Sequence, residues 1–260
     1  MSLEIVTNKE KHPDEYSSLS NELWPLYILV FGQTGEGGIN REGRTIRIEE
    51  YMSLLKGLNQ QQFTSNELLN FIHEVDSIGS NSQDLVVVDG YKPFYTISGV
   101  KERFERDLES DEHRKPIAIF LVDKESQKVK GFLTGIVFDK TEVFQDIIEG
   151  MTFLDPQEKV QVVDYLRAAK IGGTILLEHE GAILMEERGG DAWSRAVNEL
   201  HRSGRELGAK TGIVLTFADS NHYKGLLKHR QVLQNYSIGG TKDKPHMQFI
   251  IFNISEELVN

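Results

Sequence analysis

Apolar residues recur at two different spacings along the chain, and the spacing changes near Pro116. Before Pro116 they recur every three or four positions, as from Leu19 to Val30, which is typical of helices that bury one face. After Pro116, short runs rich in β-branched residues alternate with helical stretches. We therefore predict a mostly helical first part with long loops, and a second part that mixes strands and helices.

The second part begins with two strand-like runs, 117–122 and 129–138, and the short polar stretch between them predicts a β-hairpin. The later predicted elements are a helical stretch 142–169 that breaks at Asp155-Pro156, a strand 174–186, a helix 192–207, a strand 212–217, a helix 221–234 and a strand 246–254. This order predicts an α+β, or mixed α/β, fold in which helices cover a sheet.

In the first part, the sequence predicts fewer and longer elements. They are a helix from Pro13 to Gly32, a helix that Thr64 or Ser65 caps and that carries Leu68 to Val75, a short strand 85–88 and a charged helix 100–112. The glycine-rich stretch 33–43 is predicted to be a loop.

The formal net charge of −11 and the absence of cysteine exclude several classes of function. A strongly acidic chain does not suit a protein whose main task is to grip a phosphate backbone, so we expect no nucleic-acid partner. Without cysteine there are no disulfides, thiolate zinc sites, iron–sulfur clusters or cysteine nucleophiles.

Neither export nor membrane insertion is predicted from the sequence. The longest apolar stretch, 23–31, is far shorter than the ~20 residues that a membrane span needs. Residues 1–10 are polar and lack the apolar centre of a signal peptide. We therefore expect no membrane partner and a cytoplasmic location.

Three common site patterns are incomplete in this sequence. Gly32 to Gly38 follows an apolar run, but the lysine and hydroxyl of a phosphate-binding P-loop are missing, which favours a plain loop. The histidines do not have the spacing of a zinc or iron site, so no metal is expected. The Gly-x-Ser-x-Gly sequence of serine hydrolases does not occur.

The turn between strand 174–186 and helix 192–207 carries the most information about function. Its sequence Arg188-Gly-Gly-Asp191 places backbone N–H groups at the positive end of a helix, an arrangement that favours a pyrophosphate. Glycines let a phosphate approach the backbone closely, and Arg188 adds a cation. The alternative is an ordinary connection in which Asp191 caps the helix.

Residues 117–254 resemble the GNAT-type N-acetyltransferase superfamily in the order of their elements and in several short motifs. The runs 117–122 and 129–138, with Gly131, resemble the family's central hairpin. The sequence Glu187-Arg-Gly-Gly-Asp-Ala192 resembles its acetyl-CoA pyrophosphate loop, with glutamate in place of the usual first Gln or Arg. The stretch 196–209 resembles the helix that follows.

The resemblance implies a central twisted mixed sheet flanked by helices, with an enlarged helical N-terminal half. It also implies transfer of an acetyl group from acetyl-CoA to a primary amine by direct attack. Residues 1–116 would be a substrate-capping part of the same domain, and 117–260 an acyl-CoA-binding core with a helical insertion at 140–172. The residues implied to bind the cofactor are Leu184, Met185, Glu186, Arg188, Gly189, Gly190, Asp191, Ala192 and Asn221.

The chemistry of the family implies an oxyanion donor and a general acid. The donor is a backbone N–H of the strand before the glycine turn, and the matching stretch here is 183–185. The acid is often a tyrosine seven residues after the asparagine that Asn221 resembles, but that position is Lys228. The candidates that replace it are Tyr223, His222 and His229.

Glu178 and Glu180 are the candidates for the general base that takes a proton from the attacking amine. Strand alternation places both side chains on one face of the predicted strand. The alternative is a pair of solvated carboxylates on an exposed face, because acidic side chains are usually exposed.

The implied partner is a small-molecule or peptide amine and, as one option, a second copy of the chain. Residues 1–116 hold 12 basic and 20 acidic side chains, and their net charge of −8 would attract a polyamine, an aminoglycoside or a lysine side chain. Solubility explains the same charge, and we favour that explanation. Two other interpretations stay open: a GNAT-like module that binds CoA or a protein without catalysis, and an unrelated α/β protein whose glycine turn binds no ligand.

Overall fold

The structure is a computed structural model of the chain. It describes residues 3–7, 13–34, 38–41, 44–46, 48–57, 62–78, 85–87, 95–151, 154–188, 190–218, 220–238 and 247–254. The chain divides into two compact units, each made of separate segments. Unit 1 consists of Met1–Asp107, Phe120–Phe132 and Gly181–Arg195, and unit 2 consists of Leu108–Ile119, Leu133–Glu180 and Ala196–Asn260.

The described strands form two sheets. In chain order they are β1 (Leu3–Val6), β2 (Gly38–Arg41), β3 (Arg44–Ile46), β4 (Leu85–Val87), β5 (Tyr95–Thr96), β6 (Arg114–Asp123), β7 (Val129–Phe138), β8 (Ile175–Ile183), β9 (Thr211–Phe217), β10 (Val232–Ile238) and β11 (Met247–Asn253). The larger sheet has the strand order β1-β6-β7-β8-β9-β11-β10, and the smaller one has the order β3-β2-β4-β5.

The described helices connect these strands. They are α1 (Pro13–Ser20), α2 (Leu23–Thr34), α3 (Ile48–Leu55), α4 (Ser65–Ile78), α5 (Ile97–Asp107), α6 (Thr141–Gly150), α7 (Pro156–Ala168), α8 (Ala192–Glu206) and α9 (Asn221–His229). A short 3₁₀ turn covers Met185–Glu187. Among the helices that the structure describes, each is too short or too polar to cross a membrane.

The larger sheet is mixed, as the sequence predicts. β8 and β9 are parallel, whereas β11 is antiparallel to both β9 and β10, and β1 is antiparallel to β6. Parallel neighbours need a crossover connection, and α8 provides it between β8 and β9. The predicted fold class, a mixed sheet flanked by helices, is confirmed.

The core of unit 2 joins α6 and α7 to the larger sheet. The ring of Phe144 stacks on Phe138 at a centroid distance of 5.6 Å, and it lies 6.1 Å from the ring of Phe249. On α7, the ring of Tyr165 stacks on Tyr236 of β10 at 4.1 Å. Burial of these aromatic surfaces removes apolar area from water and holds both helices against the strands.

The break predicted at Asp155-Pro156 is confirmed as the start of α7. The Asp155 side chain accepts hydrogen bonds from the backbone N–H groups of Gln157 and Glu158, and the Glu158 carboxylate accepts one from the N–H of Asp155. This capping box satisfies N–H groups that lack a partner inside the helix. Pro156 fits the first turn, where its missing N–H costs no hydrogen bond.

In unit 1, an aromatic chain holds the first-part helices together. The ring of Tyr27 meets Phe104 edge to face at 5.7 Å, and Phe104 meets Phe132 at 5.5 Å in the same way. Of the two predicted caps, Thr64 caps α4, because its Oγ1 accepts a hydrogen bond from the N–H of Glu67 and the Glu67 carboxylate accepts one from the N–H of Thr64.

The single helix predicted from Pro13 to Gly32 is wrong, because α1 ends at Ser20 and α2 begins at Leu23. Pro25 lies in the first turn of α2 and has no N–H to donate. Its ring would also clash with the carbonyl four residues earlier if the helix were continuous. A proline at this place is therefore compatible with a new helix and not with an unbroken one.

The loop predicted over 33–43 is wrong in part, since α2 extends to Thr34 and Gly38–Arg41 forms β2. β2 pairs with β3, with Ile39 opposite Ile46 and Asn40 opposite Thr45. The β-branched residues of this hairpin favour pairing, which overrides the glycine signal. Residues 35–37 and 42–43 of the predicted loop lie outside the described residues.

The helix predicted over 221–234 is too long, because α9 ends at His229 and Val232–Ile238 forms β10. Arg230 already has extended backbone angles. Along β10 exposed and less exposed side chains alternate, as on a sheet. β10 pairs along its length with β11, so long-range hydrogen bonds decide the conformation of a segment whose local sequence also suits a helix.

Candidate functional site

The parallel strands β8 and β9 mark the candidate site. In the described residues their pairing runs from Ile175 opposite Thr211 to Glu178 opposite Val214. Both strands extend beyond this last pair. Because ligands of such sheets bind outside the carboxyl ends of parallel strands, a ligand is expected near the end of the pairing.

Glu178 lies at this end of the pairing, and two histidines hold its carboxylate. Nε2 of His201, on α8, is hydrogen-bonded to Oε1, and Nε2 of His222, in the first turn of α9, lies 2.7 Å from Oε2. The Glu178 and His201 side chains are 2% and 0% exposed, whereas the His222 side chain is 20% exposed. The three side chains form the Glu178 cluster, in which His222 is the member nearest to solvent.

The hydrogen bonds assign protons within the Glu178 cluster. Nδ1 of His201 is buried and makes no hydrogen bond to any described residue. A proton on that atom would be a buried donor without an acceptor, which is costly. We therefore assign His201 as the neutral tautomer that donates from Nε2, so that a positive charge in the cluster resides on His222.

Electrostatics favours the charged forms of Glu178 and His222. Burial raises the pKa of Glu178, but the charge of His222 and the hydrogen bonds from both rings outweigh it and hold that pKa well below its ordinary value. Burial lowers the pKa of His222, but the charge and the hydrogen bond of Glu178 outweigh it, and the pKa is raised. The pair is therefore an ionised carboxylate beside a histidine that retains its proton to higher pH than a free one.

The stability of the Glu178 cluster is expected to depend on pH in two directions. Since folding lowers the pKa of Glu178, its contribution is present above the ordinary value of 4.5 and is lost as the pH falls. Since folding raises the pKa of His222, its contribution is present below 6.5 and is lost as the pH rises. We predict that the stability advantage of the wild-type protein over Glu178→Gln is greatest between pH 4.5 and 6.5.

Denaturant unfolding of both proteins from about pH 3 to about pH 9 measures this advantage. An advantage that stays constant over the whole range would contradict the assignment of the two charges.

Glu178 and Glu180, the two predicted bases, have different surroundings. Glu178 is buried, so the alternative of a solvated carboxylate is wrong for this residue. Glu180 is partly exposed, and its backbone N–H and C=O both lie 3.2 Å from Oγ1 of Thr134 on β7. The predicted acid Tyr223 lies on α9, where its hydroxyl accepts a hydrogen bond of 3.0 Å from Nδ2 of Asn235 on β10.

Sequence reasoning missed His201 entirely. The residue lies on the apolar face of α8, one position after Leu200 and five after Ala196, both of which are fully buried. A histidine on such a face needs a polar partner, and this is the signal that could have indicated it. The identity of the partner was not readable, because Glu178 is 23 residues away along the chain.

The predicted oxyanion donor is corrected at one of its three positions. The backbone N–H of Leu184 donates to the carbonyl of Lys130 at 2.9 Å and is therefore already used within unit 1. The carbonyl of Leu184 accepts from the N–H of Glu187, which closes the turn that contains Met185 and the exposed Glu186. Residues 183 and 185 keep the predicted role as a hypothesis.

The predicted pyrophosphate turn leads directly into α8. The backbone N–H of Arg195 donates to the carbonyl of Asp191, which is the first hydrogen bond of the helix, and Ala192 is buried. The exposed Asp191 carboxylate pairs with Arg195 at 3.3 Å. Nε of Arg188 donates to the carbonyl of Ile183 at 3.3 Å, and the Arg188 side chain is exposed.

Gly189 and Asn221 are also predicted to bind the cofactor. Gly189 lies outside the described residues. Asn221 is exposed and is the first residue of α9, which Ser220 caps by accepting a hydrogen bond from the N–H of Tyr223 at 3.0 Å. The predicted helix start at this asparagine is therefore confirmed.

Comparison with known proteins finds similarity in three dimensions. Neither a family model nor a curated protein matches the sequence. A polyamine N-acetyltransferase of Drosophila melanogaster is 10% identical, with a TM-score of 0.43 over 96% of this chain and 100% of that chain. An N-acetyltransferase from Staphylococcus aureus is 13% identical, with a TM-score of 0.39 over 62% and 79% of the two chains. An aminoglycoside 6′-acetyltransferase type Ii is 17% identical, with a TM-score of 0.37 over 61% and 79%.

Each of these three structures is an acetyltransferase by its name.

Proposed function

We propose that the chain is an acetyl-CoA-dependent N-acyltransferase that transfers an acetyl group to a primary amine by direct attack. The observation that carries the proposal is the β8–α8–β9 crossover, whose parallel strands stop pairing at Glu178 and Val214 although both continue. Ligands of such sheets bind outside the carboxyl ends of parallel strands. The sequence that resembles a pyrophosphate loop stands at the start of the crossover helix.

The start of α8 fits a diphosphate group. A side-chain carbon added at Gly190 would meet no atom within 4 Å, so the backbone there borders open space. The first turn of a helix presents N–H groups and a partial positive charge to an anion. The exposed guanidinium of Arg188 can add charge-assisted hydrogen bonds, while Arg195 offsets the charge of Asp191.

Acetyl-CoA bound there would supply a thioester whose carbonyl carbon the amine attacks. The chain's own residues must hold the amine and take up a proton from its nitrogen. Glu180 and Tyr223 stay proposals for these roles, since Glu180 is partly exposed and the Tyr223 hydroxyl lies at the surface of α9. The ionised Glu178 and its two histidines provide a third group of this kind.

Binding and turnover can be tested separately. We expect CoA at about 100 times its Kd to stabilise the protein by about 2.7 kcal/mol, measured as a shift of the unfolding transition. We also expect thiol release from acetyl-CoA that depends on an amine, with spermidine, kanamycin and a lysine-containing peptide as probes.

Two results would contradict the proposal in different ways. Stabilisation by CoA without thiol release on any amine would favour a GNAT-like binding module. An unfolding transition that millimolar CoA does not move would favour an α/β protein whose glycine turn binds no ligand.

The proposal also covers the amine acceptor, the cellular location and the assembly of the protein. The net charge of −8 over residues 1–116 would attract a cationic amine, although solubility explains the same charge. We further propose that the protein acts in the cytoplasm, that residues 1–116 cap the substrate of a core formed by 117–260, and that a homodimer is one possible assembly.

A further inference from the structure

Arg195 connects two parts of unit 1 that are far apart in the sequence. Its Nε atom lies 3.3 Å from Oδ1 of Asp191, in the turn before α8. A terminal guanidinium nitrogen of the same side chain donates a hydrogen bond of 3.1 Å to the backbone carbonyl of Leu3, which is 192 residues away along the chain. One planar guanidinium therefore contacts both the turn that we propose for the diphosphate and the first strand, β1.

β1 is short and lies at the end of the order of strands in the larger sheet. It pairs with β6, from Leu3 opposite Asp123 to Val6 opposite Phe120, and the described strands border it on that side only. A strand of four residues that is paired on one side has few backbone hydrogen bonds to hold it. The bond from Arg195 is an additional attachment of β1, outside its pairing with β6.

The charge of Asp191 opposes the binding of an anion at this turn. Its carboxylate is 80% exposed. It directly precedes α8, whose first N–H groups are the proposed partners of the diphosphate. Like charges this close repel each other, and water and salt screen the repulsion only in part. The guanidinium of Arg195 offsets this repulsion, because it carries the opposite charge at 3.3 Å from the carboxylate.

The attachment to Leu3 makes this offset easier to maintain. An arginine side chain has many rotamers, so holding it beside one carboxylate costs conformational entropy. The hydrogen bond to Leu3 already restricts the guanidinium before an anion arrives. An exposed ion pair of this kind adds little to the stability of a fold, so its effect is expected in ligand binding.

We propose that Arg195 is a positioning residue for the turn before α8, and that it couples CoA binding to the docking of β1. This inference rests on the proposed binding of CoA at that turn. When β1 is in place, Leu3 holds the guanidinium beside Asp191 and the turn accepts an anion more readily. By linkage, bound CoA stabilises the docking of β1 by the same factor.

Calorimetric titration with CoA tests the charge pair in the wild-type protein, Arg195→Gln, Asp191→Asn and the double variant. We expect Arg195→Gln to raise the Kd for CoA by about 10-fold, because Asp191 then repels the anion without an offset. In the Asp191→Asn background the same substitution should raise the Kd by less than about threefold. Asparagine suits the start of a helix as well as aspartate does, so α8 should still form.

Arg202→Gln is the matched control. Arg202 also lies on α8, its side chain is 48% exposed against 42% for Arg195, and it pairs with Glu199 and, at 2.7 Å, with Glu206. We expect this variant to bind CoA as the wild-type protein does. Unfolding curves without CoA check that every variant folds.

Hydrogen exchange measures the coupling from the side of β1. We expect saturating CoA to slow the exchange of the β1 amides that bond β6 by about threefold or more in the wild-type protein. In Arg195→Gln, saturating CoA should leave this exchange unchanged, because the connection between the turn and Leu3 is absent.

The outcomes separate the inference from the proposed function. If Arg195→Gln binds CoA within about twofold of the wild-type protein, the inference is overturned while the proposed function stands. An equal loss of affinity in both backgrounds overturns the positioning role, because Arg195 would then act on CoA directly. Wild-type β1 amides whose exchange CoA does not slow overturn the coupling. If the wild-type protein does not bind CoA, the proposed function fails and the inference fails with it.

Discussion

Replacement of Glu178 by alanine is expected to lower the free energy of unfolding by about 3–5 kcal/mol at neutral pH. The change removes a buried charge and leaves Nε2 of both His201 and His222 without the acceptor that it bonds in the wild-type protein. His201 suffers most, because it is 0% exposed and cannot turn to water. Chemical denaturation of the purified variant and the wild-type protein measures the difference.

Glu180→Ala is the matched control for this prediction, because it removes the same side chain two residues along β8 from a partly exposed position. We expect it to cost less than about 1 kcal/mol. Glu178→Gln should fall between the two, since an amide can bond one ring as donor and the other as acceptor. A loss below about 1 kcal/mol for Glu178→Ala would show that the Glu178 cluster does not hold its elements together.

Replacement of Gly190 by leucine is expected to weaken CoA binding by about 10- to 100-fold, equivalent to about 1.4–2.7 kcal/mol. The new side chain would occupy open space beside the backbone that we propose as the diphosphate site. The fold should tolerate it, because an added Cβ meets no atom within 4 Å. Calorimetric titration with CoA measures the affinity, and thermal unfolding without CoA checks the stability.

Gly172→Leu is the control for this substitution, since Gly172 also lies in a connection where an added Cβ meets no atom within 4 Å. We expect it to change neither the affinity nor the unfolding temperature. If Gly190→Leu binds CoA as tightly as the wild-type protein does, the assignment of the turn before α8 is wrong.

Elements with a local physical cause could be predicted from the sequence. The start of α7 is specified by Asp155 and Glu158, whose side chains cap the backbone of the same turn. The hairpin of β6 and β7 is joined by a short polar turn in which Asp123 bonds the backbone of Ser126. These signals lie within a few residues of each other, so no knowledge of the rest of the chain is needed.

Elements that depend on distant partners could not be predicted in the same way. β10 is a strand because it pairs with β11, and β2 is a strand because it pairs with β3 and β4. α1 and α2 are separate helices, and Pro25 lies in the first turn of α2. The continuous helical spacing of apolar residues predicts one helix there and gives no sign of this break.

The same distinction applies to the candidate site, where some features have a local cause and others depend on distant residues. Glu178 could be proposed from its residue type and from its place in a strand before the glycine turn. Its burial and its two histidine partners depend on contacts 23 and 44 residues away in the chain. The use of the Leu184 N–H by Lys130 likewise depends on how β7 and β8 meet.

The central claim is that the turn before α8 binds the diphosphate of CoA, and a crystal structure with CoA tests it most directly. We predict density for the diphosphate within hydrogen-bonding distance of backbone N–H groups in residues 190–193, with the Arg188 guanidinium beside it. Density for CoA at another place, or a turn filled by the protein's own side chains at saturating CoA, would contradict the claim.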